Sequence, residues 1–162
     1  MTCLVADSGP LIALAKLGLL DLPVRLFTRA VLPSTVFAEC LAQARRPDAQ
    51  AIKTFVEGGQ LDVVDDAAWP EGIAVPRLDA GETAALALAH QLQAHLLVDE
   101  LRGRRAARRL GVPIVGVCGL LLLAKRQGYI DTVAVPMDVL RAQSYFIAPD
   151  LRAAVLAAAG ED

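Results

Sequence analysis

Asp7, Glu39, Glu82 and Asp99 are the residues of this 162-residue chain whose types and settings best lend themselves to chemistry. Asp7 directly follows an apolar run and precedes the turn Ser8-Gly9-Pro10, and Asp99 directly follows the run HLLV. Glu39 falls on the flank of an apolar helix face beside Val36 and Cys40, and Glu82 falls in the first turn of a long Ala-rich helix. Carboxylates from four separated segments repel strongly when brought together unless a cation neutralises them. An all-oxygen donor set of this kind suits Mg²⁺ or Mn²⁺. Such a centre activates a water and stabilises the charge that develops in phosphodiester hydrolysis, with no protein nucleophile required.

Each acid also has a plain structural reading. Asp7 or Ser8 caps a helix beginning at Pro10, and Asp99 caps the basic helix that follows it. Asp79 and Glu82, in the order D-A-G-E, form a capping box. Glu39 taken alone is an ordinary helix-flank glutamate. Asp21, Asp62, Asp65, Asp66 and Asp131 stand in turn or loop contexts and are expected in solvent. Asp7 could instead act as a phosphoryl acceptor, but Gly9 occupies the place of the second acid that such phosphatases use. The two histidines have no partners at zinc-ligand spacing. Phosphate loops, nucleophile elbows and dinucleotide fingerprints are absent.

The elements that must position these acids alternate between short apolar strands and helices. Strands are expected at 2–6, 30–33, 61–64, 95–98 and 112–117. Helices are expected from Pro10 to Leu17, from a Ser34 cap to Ala44, over Asp48 to Glu57, and from about Asp79. Further helices are expected over 100–110, 119–127, 136–143 and 149–159. Residues 67–77 read as a Pro-rich loop and 144–147 as an extended segment. Alternation of this kind predicts a single-domain α/β/α sandwich of three layers over residues 1–162, with a mainly parallel central sheet. Ligands of such sheets bind at the carboxyl ends of the strands, where Asp7 and Asp99 fall.

The chain is 55% hydrophobic but only 4% aromatic, so its core must be built from Ala, Leu and Val. A net charge of −2 argues against wholesale coating by nucleic acid and leaves room for a local basic patch. Cys3, Cys40 and Cys118 are widely spaced in apolar surroundings and read as small core residues. Neither a secretory signal nor a membrane-length apolar run is visible, and a cytoplasmic protein is expected.

Taken together, DSGPLIALAKLG, VLPSTVFAEC, GETAALALA, LLVDELRGRRAARRLG and VGVCGLLLLAKRQGYID resemble the PIN-domain family, and within it the VapC-like toxins of prokaryotic toxin–antitoxin pairs. The resemblance implies a Rossmann-like fold, RNA cleavage with Mg²⁺ or Mn²⁺, a homodimer and a cognate antitoxin. Position by position it maps Asp7, Glu39, Glu82 and Asp99 onto the family's acids, and Ser8 onto the small hydroxyl residue after the first. Many members carry aspartate where this chain has Glu82. The motif at the fourth acid departs too, since LLVDE offers Glu100 beside Asp99. Five arginines, Arg102, Arg104, Arg105, Arg108 and Arg109, lie on the next helix. Arg102 and Arg104, nearest its start, are expected with Ser8 among the substrate contacts. The alternatives are a solvated basic face and a catalytically silent PIN-like module that binds RNA or protein.

Overall fold

Strand β1 (Cys3–Ala6) lies at the centre of a five-stranded sheet in the computed structural model, which describes residues 3–161. It pairs in parallel with β2 (Arg29–Pro33) on one side and with β4 (His95–Leu97) on the other. Beyond β2 runs β3 (Asp62–Val64), and beyond β4 runs β5 (Ile114–Val115), both again parallel. Parallel strands must be covered on both faces, and their sequences read as unbroken apolar runs. Leu4, Val5 and Ala6 of β1 and Val31 and Leu32 of β2 are accordingly at most 1% exposed.

Nine helices cover the sheet among the described residues: α1 (Ser8–Lys16), α2 (Leu22–Leu26), α3 (Ser34–Cys40), α4 (Pro47–Glu57), α5 (Ala80–Leu92), α6 (Leu101–Arg109), α7 (Val117–Arg126), α8 (Ala134–Ala142) and α9 (Pro149–Ala159). The result is a three-layer α/β/α sandwich. Helix α1 packs on α3 and α4, while α5 lies against β1, β2, α3 and α6. Small side chains allow that close approach, for α5 buries Gly81 and the whole run Ala84–Ala89. Helix α2 packs on β2 and α7, and α7 carries α9. Among the described residues no helix is long and apolar enough to cross a membrane.

Several element boundaries differ from the sequence expectation. Helix α3 stops at Cys40 and not at Ala44, and Ala44 is exposed. Residues 41–45 form a turn, after which Pro47 holds Arg46 extended (φ −69°, ψ 143°) and opens α4 at its own first position. Ser34 does not cap α3, because its hydroxyl donates to the Val64 carbonyl at 3.2 Å. Asp66 caps instead, accepting from the Thr35 amide at 3.1 Å, so this acid is more than a solvated loop residue. Asp62 likewise lies within β3 and pairs with Arg29 at 3.1 Å. Helix α2 was not expected, being one short turn around Pro23 with little periodicity to read. The strand expected at 112–117 shrinks to two residues because Gly116 already caps α7. Residues 144–147 form no strand, and Ser144 turns the chain with a left-handed backbone (φ 64°). Helices α1, α7 and α8 each begin two residues before the expected start. Residue 2 of the first expected strand lies outside the described residues.

Candidate active site

From β1 the chain runs outward to β2 and β3, then returns to lay β4 on the other side of β1. This reversal of strand order opens a crevice at the carboxyl ends of β1 and β4. Asp7 stands at its floor: its amide donates to the Leu97 carbonyl at 3.1 Å, extending the pairing of β1 with β4, and the residue is 6% exposed. The side chain also caps α1, taking the Ser8 amide on Oδ1 at 2.9 Å. The capping reading of Asp7 is therefore correct and does not compete with a functional one. Oδ2 makes no hydrogen bond among the described residues.

Glu39 reaches the same edge from the last turn of α3. The Ser8 hydroxyl donates to its Oε2 at 3.0 Å, which ties the residue after Asp7 to the second acid. Its carboxylate lies flat against Gly81 of α5, where a Cβ would run into both oxygens. Gly81 is thus a cradle for Glu39. Next on α5, Glu82 and the N-cap Asp79 form the expected capping box, with Glu82 N donating to Asp79 Oδ1 at 2.8 Å. The Glu82 side chain lies close to the carboxyl of Glu100, the N-cap of α6.

Asp99 is held differently. Its Oδ1 accepts from the Val117 amide at 3.1 Å, and its Oδ2 accepts from the Tyr145 hydroxyl. A Cβ at Gly116 would sit 2.5 Å from Oδ1, so glycine there admits the carboxylate. Asp99 therefore ties the end of β4 to the start of α7 and to the α8–α9 connection. Of the two acids at the fourth position, Glu100 joins Glu82, while Asp99 faces α7 and Tyr145.

Electrostatics follow from this crowding. Burial, together with the charges of Asp79, Glu39 and Glu100, raises the Asp7 carboxyl to about 6 against the opposing Ser8 amide. Glu82 is raised to about 8, first by burial, then by the nearby Glu100 carboxyl and the Asp79 charge. Burial and the Asp99 carboxylate push the Tyr145 phenol up, so it remains a donor. Among the described residues none of Asp7, Glu39, Asp79, Glu82, Asp99 and Glu100 forms a salt bridge, whereas Asp21, Asp48, Asp62 and Asp138 all pair with arginine.

Local sequence did not single out Asp79, Gly81, Gly116 or Tyr145 as parts of the site. Asp79 was visible only as a cap. Tyr145 meets Asp99 across 46 positions, a contact no short-range pattern encodes. The two arginines expected at substrate are separated by the helix: Arg102 is exposed, whereas Arg104 is half-buried beside Gly116 and Cys118.

Among the described residues no three His, Cys, Asp or Glu side chains are drawn together closely enough to form a coordination shell, as mutual repulsion of like charges dictates. The donor set nonetheless fits a hard divalent cation. Every donor is a carboxylate oxygen, Asp7 and Glu82 are driven towards protonation by burial and then by their acidic neighbours, and among the described residues no basic side chain pairs with them. Asp7, Glu39, Glu82 and Glu100 are the residues that would hold it, with Asp99 on the α7 side.

No curated protein matches this sequence. Among solved structures, a PilT N-terminus domain protein, SSO1118, from the hyperthermophilic archaeon Sulfolobus solfataricus P2 has a similar fold, with a TM-score of 0.52 and 18% identity. The match covers 74% of this chain and 90% of that one. The sequence also matches the family DUF3368, described as a PIN domain, over residues 3–161. With almost its whole length matched, and with the sheet order and acid-lined crevice described above, the chain belongs to the PIN-domain family, generally a nuclease fold.

Proposed function

We propose that the protein is a Mg²⁺- or Mn²⁺-dependent endoribonuclease that hydrolyses RNA phosphodiester bonds. The observation that carries this reading is the gathering of unpaired carboxylates at the switch point between β1 and β4. When bound, a divalent cation supplies charge neutralisation and Lewis acidity towards phosphoryl oxygens. The chain's own residues do the rest. Ser8 orients the Glu39 carboxylate, and Gly81 leaves room for it. Tyr145 and the Val117 amide fix Asp99 in one rotamer. Glu82, raised to about 8, keeps its proton near neutral pH, and that proton can leave as the site loads.

At the level of biology, the reading is a toxin restrained by a cognate antitoxin and acting as a homodimer in the cytoplasm. The VapC-like motifs support it. So do the exposed Val135, Val139, Phe146 and Leu151, an apolar surface that a second chain would cover.

The direct test is digestion of single-stranded RNA by pure protein with Mg²⁺ or Mn²⁺. Wild type is expected to cleave, while Asp7→Asn and Asp99→Asn are expected to lose at least about a hundredfold in rate. No cleavage with either metal, or equal cleavage by the variants, contradicts the reading.

A further inference from the structure

A second feature lies beside the acids without being part of them. Arg77 from the β3–α5 connection and Arg102, Arg105 and Arg109 from α6 line one cleft of about 390 Å³, floored by Leu78 and Ala106. All four arginines are exposed, and among the described residues none makes a side-chain hydrogen bond or ion pair. Five arginines elsewhere, Arg25, Arg29, Arg46, Arg141 and Arg152, each engage an aspartate; what sets these four apart is their convergence on one cleft. Four unneutralised guanidinium groups converging on one cleft repel one another, a cost relieved when an anion enters.

The shape indicates which anion. Positions 102, 105 and 109 fall on one face of α6 and span two turns, about 10 Å. Arg77 faces them across the cleft. A single small anion needs no row of this length, whereas a chain of phosphates does. The Leu78 and Ala106 floor offers an apolar surface to ribose or base. The cleft also adjoins the acids in sequence and in space. Leu78 precedes the N-cap Asp79, Arg102 follows Glu100 by two positions, and α5 packs on α6.

From this we infer that the Arg77–Arg102–Arg105–Arg109 cleft binds the phosphate backbone of single-stranded RNA flanking the scissile bond. This rests on the ribonuclease reading for its setting. Planar guanidinium forks match phosphate oxygens in pairs, and the contacts carry no base preference of their own. The cleft accordingly strengthens long substrates and leaves the shortest ones unaffected.

The test uses the full chain in EDTA, which keeps RNA intact, with binding followed by fluorescence anisotropy on a labelled single-stranded RNA. The triple variant Arg77→Ala/Arg105→Ala/Arg109→Ala should bind about tenfold more weakly, and its salt slope should be shallower by about 2. The corresponding triple lysine variant should keep the wild-type slope, since it keeps the charges. In a second arm with Mn²⁺, the alanine variant should cleave a dinucleotide as wild type does and a long RNA more slowly. Unchanged affinity and slope in the alanine variant overturn the proposal, as does a lysine variant that behaves like the alanine one. Equal wild-type binding of an acidic peptide also overturns it. If wild type cleaves nothing yet binds RNA through these arginines, the catalytic reading fails and the cleft stands.

Discussion

Gly81 carries more functional information than its size suggests. By helix propensity alone, Gly→Ala stabilises a helix by up to about 1 kcal/mol. Here the atoms nearest the added methyl are the end of the flexible Glu39 side chain, which can swing aside. Gly81→Ala is therefore expected to fold with an equal or higher melting temperature while losing at least about tenfold in RNA cleavage. A variant that keeps full activity would show that Glu39's seat is immaterial. Asp7 and Glu82 make a second prediction. Their folded carboxyls lie at about 6 and about 8, above unfolded values of 3.8 and 4.5. The folded chain thus holds extra protons in those intervals, and the stability these groups contribute is present at low pH. It is lost as pH rises through about 6 for Asp7 and about 8 for Glu82. In chelator, the melting temperature of Asp7→Asn relative to wild type should rise as pH passes through about 6. A difference that does not vary with pH contradicts the assignment. Asp7, Glu82 and Asp99 were legible in the sequence because each follows a strand or opens a helix, and Glu39 because it flanks an apolar helix face. Their roles were not, since Asp79, Glu82 and Asp7 cap helices and line the crevice at once.

At the scale of elements, what the apolar runs could predict and what they could not divide along physical lines. Strands β1, β2 and β4 are mostly buried apolar runs, β3 is a short apolar run, and the long α5 is capped and Ala-rich, so all were readable. The short α2, the start of α4 and the early start of α7 depend on single residues, Pro23, Pro47 and Gly116, acting against or without periodicity. The tie that matters most to the site was beyond any such pattern. Tyr145 projects from the α8–α9 connection onto Asp99, which also holds the α7 amide end. Tyr145→Phe removes one buried hydrogen bond worth about 1 kcal/mol. Its melting temperature should drop by about 2–4 °C, and cleavage should fall by less than it does in Asp99→Asn. If Tyr145→Phe matches Asp99→Asn in activity loss, the phenol contacts substrate and does not merely position the acid.

For the molecule as a whole, the charge distribution is the decisive property. A net charge of −2 conceals two opposed regions that meet at the starts of α5 and α6, one of unpaired carboxylates and one of unpaired arginines. Composition averages them away, and only the fold sets them side by side. An acidic crevice alone would repel RNA; the adjoining cleft gives the backbone somewhere to bind while a cation masks the acids. The claim beneath all of this is that the carboxylates at the β1–β4 switch point hold a divalent cation. Isothermal titration of Mn²⁺ into the metal-free protein above neutral pH tests it most directly. The account predicts saturable binding that releases protons and weakens at least about tenfold in Asp7→Asn and in Glu39→Gln. No binding by wild type, or unaltered binding by both variants, would contradict it.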